Sequence, residues 1–327
     1  MVIYYMGGAD GGGACNYTYM CFIDLTKAFD KVKLGDVLAI MNEKGVHPQI
    51  INIIRDMNTE NKTKIRANKK LTQEVRVANE VNAGYTMGNR RINILCYADD
   101  ATVIAENEDD AQRLLFNFAK AAEQYNMKIS IEKTKSMVIA KNPIRCKLVI
   151  NNKSVEQVMK FNYLGVETTA YRDIKAEMSK QTNKASLISG CLRQVVWRNK
   201  YMSQEAKVKI YKTCVRPIST YALECRADTS ITKQKLRATE MKTLRQICGK
   251  TLRDQIRSAE IRKSCKIPDI VRWVRGRRRD WRDHVERMDN NRLAKIAYTE
   301  KPYSQRLPGR PPKRWKQCWS SISQEQP

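Results

Sequence analysis

Residues 92–105 read INILCYADDATVIA, and this stretch decides the fold. Its apolar runs on either side of residues 97–100 predict two neighbouring strands joined by a tight turn. The turn carries two adjacent carboxylates, Asp99 and Asp100. A paired acidic turn between apolar strands is the first candidate for chemistry in the chain.

A second acidic stretch, FIDLTKAFD at residues 22–30, places Asp24 at the end of a predicted buried strand. If the two strands are neighbours, Asp24, Asp99 and Asp100 converge at one edge of a sheet. Carboxylates in that arrangement can hold a pair of Mg²⁺ ions roughly 4 Å apart, as nucleotidyl transfer requires. The residues alone leave a second interpretation open, in which the turn Asp residues serve the turn and Asp24 caps a helix.

The remaining pattern to residue 170 predicts an α+β fold with a mostly antiparallel sheet. Helical spacing appears at residues 34–41, 50–57 and 111–125, and Asp109 or Asp110 is the expected N-cap of the last helix. Apolar alternation predicts further strands at residues 64–77 (a hairpin), 128–131, 136–140, 146–150 and 161–166.

From Ile174 onward the apolar period becomes helical, which predicts an all-α region over residues 171–300. One helix is expected to bend at Pro217, and Gly249 is expected to end another. Residues 1–20 are Gly-rich and aperiodic, so they predict a disordered leader. Residues 301–327 form a Pro-rich basic tail. The first domain is therefore placed at residues 21–170.

Composition points to a polyanionic partner. The chain has 61 Lys+Arg against 34 Asp+Glu, a formal net charge of +27. Nucleic acid is favoured over a membrane, because no single helix combines the charge with a large apolar face. The 10 Cys are scattered without a Cys-x-x-Cys pair, so no zinc site is expected. No small-molecule cofactor is expected either. No secretory signal is evident, and an intracellular location in the cytoplasm or nucleus is expected.

The positive charge is concentrated late in the chain, where residues 250–316 hold 21 Lys+Arg and 8 Asp+Glu. One helical stretch with Trp273 and Trp281 is a candidate nucleic-acid surface, because Arg forks suit phosphates and indoles stack on bases. A solvated helix face is the alternative. The candidate contact residues are Arg272, Arg275, Arg277, Arg278, Arg279 and Arg282.

Together these stretches resemble the reverse transcriptase of non-LTR (LINE-type) retrotransposons. FIDLTKAFD resembles that family's motif A, and YADD at residues 97–100 resembles motif C. MKISIEKTK at residues 127–135 resembles motif D, and FNYLG at 161–165 resembles motif E. WRDHVERM at residues 281–288 is similar to a stretch downstream of the thumb in such elements.

The resemblance implies a polymerase palm followed by an α-helical thumb, acting on an RNA template and a DNA primer. Asp24 and Asp99 would bind two catalytic Mg²⁺ ions, with Asp100 assisting. Phe29 would be the steric gate against a ribose 2′-hydroxyl. Either Lys133 or Lys135 would lie near the leaving phosphate. The primer grip would consist of Tyr163, Leu164 and Gly165.

The chain also departs from the family pattern. No Gln-Gly-Asp or Ser-Pro string occurs between residues 75 and 88, where motif B and its helix are expected. The Gly-rich leader stands where the fingers are expected. We therefore expect an RNA-directed DNA polymerase domain that is defective, or a catalytically dead remnant that binds RNA or DNA through its basic half. We also expect Ile92, Ile94 or their neighbours to be exposed as an apolar patch where the motif B helix would cover the sheet.

Overall fold

The structure is a computed structural model that describes residues 17–26, 34–59, 83–87, 90–125, 127–140, 142, 144–171, 174–227 and 229–299. Two compact units are present, residues 17–159 and residues 160–327 with 1–16. The predicted hairpin at residues 64–77, residues 1–16 of the predicted leader and the predicted tail lie outside the described residues. The predicted end of the leader at residue 20 was wrong, because residues 18–20 form part of a buried strand. Over the described ranges, no helix is long and apolar enough to cross a bilayer.

The unit of residues 17–159 combines short helices with a mainly antiparallel sheet. Its strands are β1 (Thr18–Ile23), β2 (Leu25–Thr26), β3 (Tyr85–Met87), β4 (Arg90–Ile92), β5 (Ile94–Tyr97), β6 (Asp100–Ala105), β7 (Lys128–Ile129), β8 (Lys135–Ile139), β9 (Val149–Ile150), β10 (Lys153–Ser154) and β11 (Glu156–Gln157). Its helices are α1 (Leu34–Glu43), α2 (Pro48–Thr59) and α3 (Glu108–Gln124).

The central sheet has the strand order β11-β8-β1-β6-β5. Strand β1 lies in the middle because all six of its residues are buried, which suits a strand covered on both faces. It pairs antiparallel with both β6 and β8, and β11 joins β8 in parallel. The α+β fold with its antiparallel core is therefore confirmed.

Helix α3 packs its apolar stripe into the core of this unit. The stripe predicted from the sequence is buried at Ala111, Leu114, Leu115, Phe118 and Ala122. The predicted N-cap was wrong. The helix begins at Glu108, and the side chain of its N-cap Asn107 accepts a hydrogen bond from the backbone N–H of Asp110. Asp109 and Asp110 instead lie in the first turn, where negative charge favours the helix dipole.

Of the residues expected to be exposed beside the missing helix, Ile92 and Ile94 are not exposed, whereas their neighbours Cys96 and Tyr97 are. Ile92 is 4% exposed, and it stands opposite Tyr85 in the β3–β4 hairpin. Ile94 is half-buried and packs against the core. The Cβ that any residue other than glycine would carry at position 84 would lie 2.8 Å from the Ile92 carbonyl oxygen, so only Gly84 allows this close approach.

The unit of residues 160–327 is a hairpin followed by helices. The hairpin consists of β12 (Lys160–Tyr163) and β13 (Val166–Thr169). The α-helices are α4 (Ile174–Leu192), α5 (Gln204–Ile210), α6 (Arg216–Ser219), α7 (Ser230–Ile247), α8 (Ser258–Ser264), α9 (Ile270–Glu286) and α10 (Leu293–Thr299). Two π-helical turns, Arg193–Trp197 and Tyr211–Val215, interrupt the regular helices.

The helical breaks follow local chemistry. The second π-helical turn ends just before Pro217, whose nitrogen has no hydrogen to donate to the preceding turn. Cys248 is the C-cap of α7, and Gly249 follows it at a φ of 64°, where a glycine is unstrained. Both interruptions lie where the sequence predicted them, whereas the π-helical geometry was not predicted.

Candidate active site and basic helix

The pairing of β1 with β6 brings two of the candidate carboxylates together. Ile23 is opposite Ala101, so Asp24 and Asp100 stand at the next position of each strand. Asp99 occupies the two-residue turn that joins β5 to β6. The three acidic residues therefore lie at one end of the sheet.

The turn between β5 and β6 is conformationally demanding. Tyr97 pairs with Asp100, which leaves Ala98 and Asp99 as the connecting residues. Ala98 has a φ of 54°, a left-handed conformation that costs a residue with a Cβ about 1 kcal/mol or more. Strain of this kind is typical of functional turns that the surrounding structure holds in place.

The electrostatics of the acidic end reflect crowding of like charges. The pKa of Asp100 is raised, first by burial and then by the negative charges of Asp99 and Asp24. The Asp24 Oδ2 atom is buried and accepts no hydrogen bond within the described residues. A divalent cation would screen the repulsion and bind the Asp24 oxygen that accepts no hydrogen bond. Carboxylate oxygens are the type of donor that hard divalent cations such as Mg²⁺ prefer.

The three carboxylates do not form a complete metal-binding site. Across the part of the chain that the structure describes, no group of three or more His, Cys, Asp or Glu side chains is arranged to hold a metal ion. The acidic residues share one end of the sheet, yet their side chains do not converge on one point.

The loop of the motif D stretch fixes the backbone of Asp24. The backbone N–H of Asp24 donates to the Thr134 hydroxyl at 3.3 Å, and the carbonyl of Asp24 accepts from the Ser130 N–H at 2.8 Å. Lys133, on the same loop, places its Nζ 3.7 Å from Asp24 Oδ2. Lys135 points elsewhere and binds the Glu156 carboxylate at 2.7 Å. Of the two candidate lysines, Lys133 is the one beside the acidic end.

The candidate primer grip lies at the turn of the β12–β13 hairpin. Leu164 and Gly165 both have positive φ, 48° and 80°, and Tyr163 is buried. The Tyr221 hydroxyl donates to the Leu164 carbonyl at 2.9 Å, and the Gln181 side chain donates to the Gly165 carbonyl at 3.3 Å. Helix α4 and the segment after α6 therefore hold this turn. Phe29, the candidate steric gate, lies outside the described residues.

The basic helix α9 begins at a strong cap. The Asp269 carboxylate accepts from the backbone N–H groups of Val271 and Arg272, and it also binds Arg237 and Arg262. Arg262 continues to the buried Glu240, which it contacts with two nitrogens at 2.8 and 2.9 Å. This chain of ion pairs ties α9 to α7 and α8.

The arginines of α9 differ in their exposure and in the acidic residues beside them. Arg272 and Arg279 are exposed, and Arg275 is half-buried between them. Arg277 lies near Glu224 and Asp280, and Arg282 is held by Asp283 and Glu286.

The two tryptophans of α9 also have neighbours within the fold. The Arg216 guanidinium lies over the Trp273 ring, with its carbon 4.4 Å from the ring centroid. Trp281 is half-buried against His284.

Arg278 differs from the others, because it is only 2% exposed. Its Nε donates to the Leu223 carbonyl at 2.9 Å, and its Nη2 donates to the Arg226 carbonyl at 3.2 Å. No phosphate can reach this side chain in the fold, so it is removed from the candidate nucleic-acid surface. It lies four residues after the buried Val274 and so on the same face of α9, but this spacing does not reveal the carbonyls that pair with it.

Residues 13–168 match the family described as reverse transcriptase (RNA-dependent DNA polymerase). This part of the chain is a reverse transcriptase domain. It contains Asp24, Asp99, Asp100 and Lys133, as well as the turn of the β12–β13 hairpin. Helix α9 and its arginines lie beyond it.

Two relatives connect the reverse transcriptase domain with transposable elements. A putative transposon-derived protein of Caenorhabditis elegans is 22% identical over 240 residues, which are 70% of this chain and 84% of that protein. The RNA-directed DNA polymerase from mobile element jockey of Drosophila funebris is 25% identical over 315 residues, 86% of this chain. The match spans 34% of the jockey polymerase. The recognition of a LINE-type reverse transcriptase domain is thus confirmed.

Proposed function

We propose that this chain is a retrotransposon reverse transcriptase that keeps the acidic end of the polymerase palm and has lost efficient templated synthesis. The register of β1 against β6, which sets Asp24 beside Asp100, is the observation that carries the first half of the proposal. The second half rests on the sequence between residues 75 and 88, where motif B is missing. Without that floor under template and nucleotide, positioning is lost, and positioning supplies much of the rate of such reactions.

In this proposal Asp24 and Asp99 would hold Mg²⁺, with Asp100 assisting. When bound, the ions would make the 3′-hydroxyl of the primer more nucleophilic and stabilise the negative charge of the departing pyrophosphate. Lys133, whose Nζ lies 3.7 Å from Asp24 Oδ2, would donate a proton toward a leaving phosphate. The turn of the β12–β13 hairpin would support the primer as part of a palm and thumb arrangement.

Primer extension tests the catalytic half. Purified protein, Mg²⁺, an RNA template and a DNA primer should give no product above that of an Asp99→Asn variant. Extension that requires both the RNA template and Asp99 would show that the chain is an active polymerase. Intact binding of the same primer–template would separate a catalytic defect from a failure to fold.

We further propose that the exposed arginines of α9 bind nucleic acid. Arg272 and Arg279 are exposed on α9, and the surrounding region is strongly basic. Binding through phosphates is weakly selective for sequence and falls steeply with salt. Template RNA and primer DNA are the partners that the reverse transcriptase domain suggests.

Fluorescence anisotropy with labelled single-stranded RNA tests this second half. Replacing Arg272 and Arg279 by Ala should weaken binding and reduce the slope of log K against log salt by roughly 1.4, or about 0.7 for each lost contact. Replacing Arg113 and Lys120 on the exposed side of α3 removes the same charge and serves as the control. An equal loss in both variants would show that only net charge matters and would refute a site on α9.

A further inference from the structure

The thiols of Cys248 and Cys265 lie in contact inside the helical unit. Their sulfur atoms are 3.3 Å apart. Cys248 caps the C-terminus of α7, and Cys265 caps the C-terminus of α8. Neither belongs to the acidic end of the sheet or to the exposed arginines of α9.

Neighbouring contacts, rather than the sulfurs themselves, hold the pair together. Each cysteine donates its backbone N–H into the last turn of its own helix, Cys248 to Leu244 and Cys265 to Ile261, both at 3.0 Å. The two helices are joined by the bidentate contact of Arg262 with Glu240. The cysteine positions are therefore fixed before any bond forms between them.

The two thiols differ in access. Cys265 is 4% exposed, whereas Cys248 is half-buried. Burial, followed by the contact with Cys248, raises the pKa of the Cys265 thiol to about 12, so this residue is protonated at neutral pH. An oxidant therefore reaches Cys248 first. Because the partner sulfur already lies within van der Waals contact, only a small movement would close a disulfide.

We propose that Cys248 and Cys265 form a redox modification site, which hydrogen peroxide converts into a disulfide. The Cys248 sulfur attacks one peroxide oxygen, the O–O bond breaks, and Cys248 sulfenic acid and one water are formed. The Cys265 sulfur then attacks the Cys248 sulfur and expels hydroxide, which takes the Cys265 proton and leaves as the second water. Two thiols are oxidised by two electrons, and one peroxide is reduced to two waters.

The bond would close residues 249–264 into a covalent loop. This segment carries the basic residues Lys250, Arg253, Arg257, Arg262 and Lys263. Oxidation would leave their charge unchanged while tethering the segment at both ends. The expected effect is a more restrained basic loop, because a cross-link removes conformational freedom from the chain that it encloses.

Mass spectrometry of the full chain after graded peroxide treatment tests the proposal. The expected product loses the mass of two hydrogen atoms and yields a peptide pair joining Cys248 to Cys265. It should be the main disulfide product even at peroxide doses that oxidise Cys191 and Cys214, which are exposed. Limited trypsin cleavage within residues 249–264 should then leave two fragments joined on a non-reducing gel, and dithiothreitol should separate them.

Two controls make the result decisive. Cys248→Ser should abolish the linked fragments, whereas Cys191→Ser should leave them unchanged. Denaturing the protein before oxidation should remove the preference for this pair if the fold creates it. Free thiols at both positions, sulfinic acid at Cys248, or pairing with other cysteines in the folded protein would each overturn the proposal.

Discussion

The Nε of Arg278 donates a 2.9 Å hydrogen bond to the backbone carbonyl of Leu223, and this bond lies in the interior of the helical unit. The adjacent Arg279 is exposed. Two consecutive arginines in one basic helix thus have different tasks. Arg278 holds α9 against the short 3₁₀ segment Leu223–Cys225, whereas Arg279 is available to solvent.

This contrast gives the first prediction. Arg278→Ala should lower the free energy of unfolding by about 2–4 kcal/mol, because it leaves buried carbonyls without donors. Arg279→Ala should change stability by less than about 0.5 kcal/mol, since a surface substitution rarely does more. Urea denaturation followed by circular dichroism measures both, and equal stabilities for the two variants would refute the assigned tasks.

The second prediction concerns pH and Asp100. Its pKa is raised in the folded state, so the folded protein binds more protons than the unfolded chain just above the ordinary value of 3.8. The raised pKa of Asp100 does not destabilise the folded state below pH 3.8. The destabilisation grows as the pH rises from 3.8 toward the pKa of Asp100 in the folded protein, and it is complete above that pKa. Asp100→Asn should therefore raise the melting temperature at neutral pH and have little effect well below pH 3.8.

Calorimetry at the two pH values tests this sign. Asp109→Asn on α3 is a control outside the acidic end, and it should remove a favourable helix-dipole interaction instead. If Asp100→Asn destabilises the protein at neutral pH, the repulsion inferred among the three carboxylates is absent.

The third prediction separates Lys133 from Lys135. Lys133→Ala should strengthen Mg²⁺ or Mn²⁺ binding by up to about fivefold, because it removes a cation that competes for Asp24. Lys135→Ala should leave metal affinity unchanged, since Lys135 is bound to Glu156. Isothermal titration with Mn²⁺ distinguishes the two. Tighter binding in both variants would indicate a general charge effect.

The fourth prediction tests how the β12–β13 turn is held. Tyr221→Phe should cost about 1 kcal/mol and speed amide exchange in residues 160–169, because one hydrogen bond to a left-handed turn is lost. Tyr201→Phe, on a fully exposed tyrosine, is the matched control. Unchanged exchange in the hairpin would mean that Gln181 and the Lys180–Glu167 ion pair hold the turn without Tyr221.

The fifth prediction concerns Ala98. Ala98→Gly should raise the free energy of unfolding by about 0.5–1 kcal/mol, because glycine adopts a φ of 54° without steric strain. Thermal unfolding measures the gain. Ala119→Gly, within helix α3, should instead lower stability by about 1 kcal/mol. A loss at position 98 would show that the turn is unstrained.

The sequence predicted those features that depend on local pattern. The buried strand from Cys21 to Ile23 and the stripe of α3 were evident from apolar spacing alone, whereas residues 18–20 of the same strand were wrongly assigned to the leader. The placement of Asp24 near the acidic turn followed from the family motifs. Local pattern also predicted the interruption of the helix next to Pro217, since the missing hydrogen belongs to that residue itself.

Features that depend on distant partners were not predictable in this way. Lys133 and Lys135 are two residues apart, and only the position of Glu156 on β11 determines which lysine remains beside Asp24. Arg278 is buried because carbonyls from a segment near residue 225 meet it. The contact between Cys248 and Cys265 depends on the packing of α7 and α8, which no spacing rule encodes.

The direct pairing of β1 with β6 has a consequence for how such domains tolerate insertion and deletion. The chain leaves the central sheet after Ile23 and returns to it at Ile94, where β5 begins, so the segment between these residues is an excursion from the sheet. Closing a flexible excursion of twice the length costs only about 0.6 kcal/mol more. Evolution can therefore shorten or lengthen this excursion at little thermodynamic cost, and an engineer could graft a replacement segment there without redesigning the sheet.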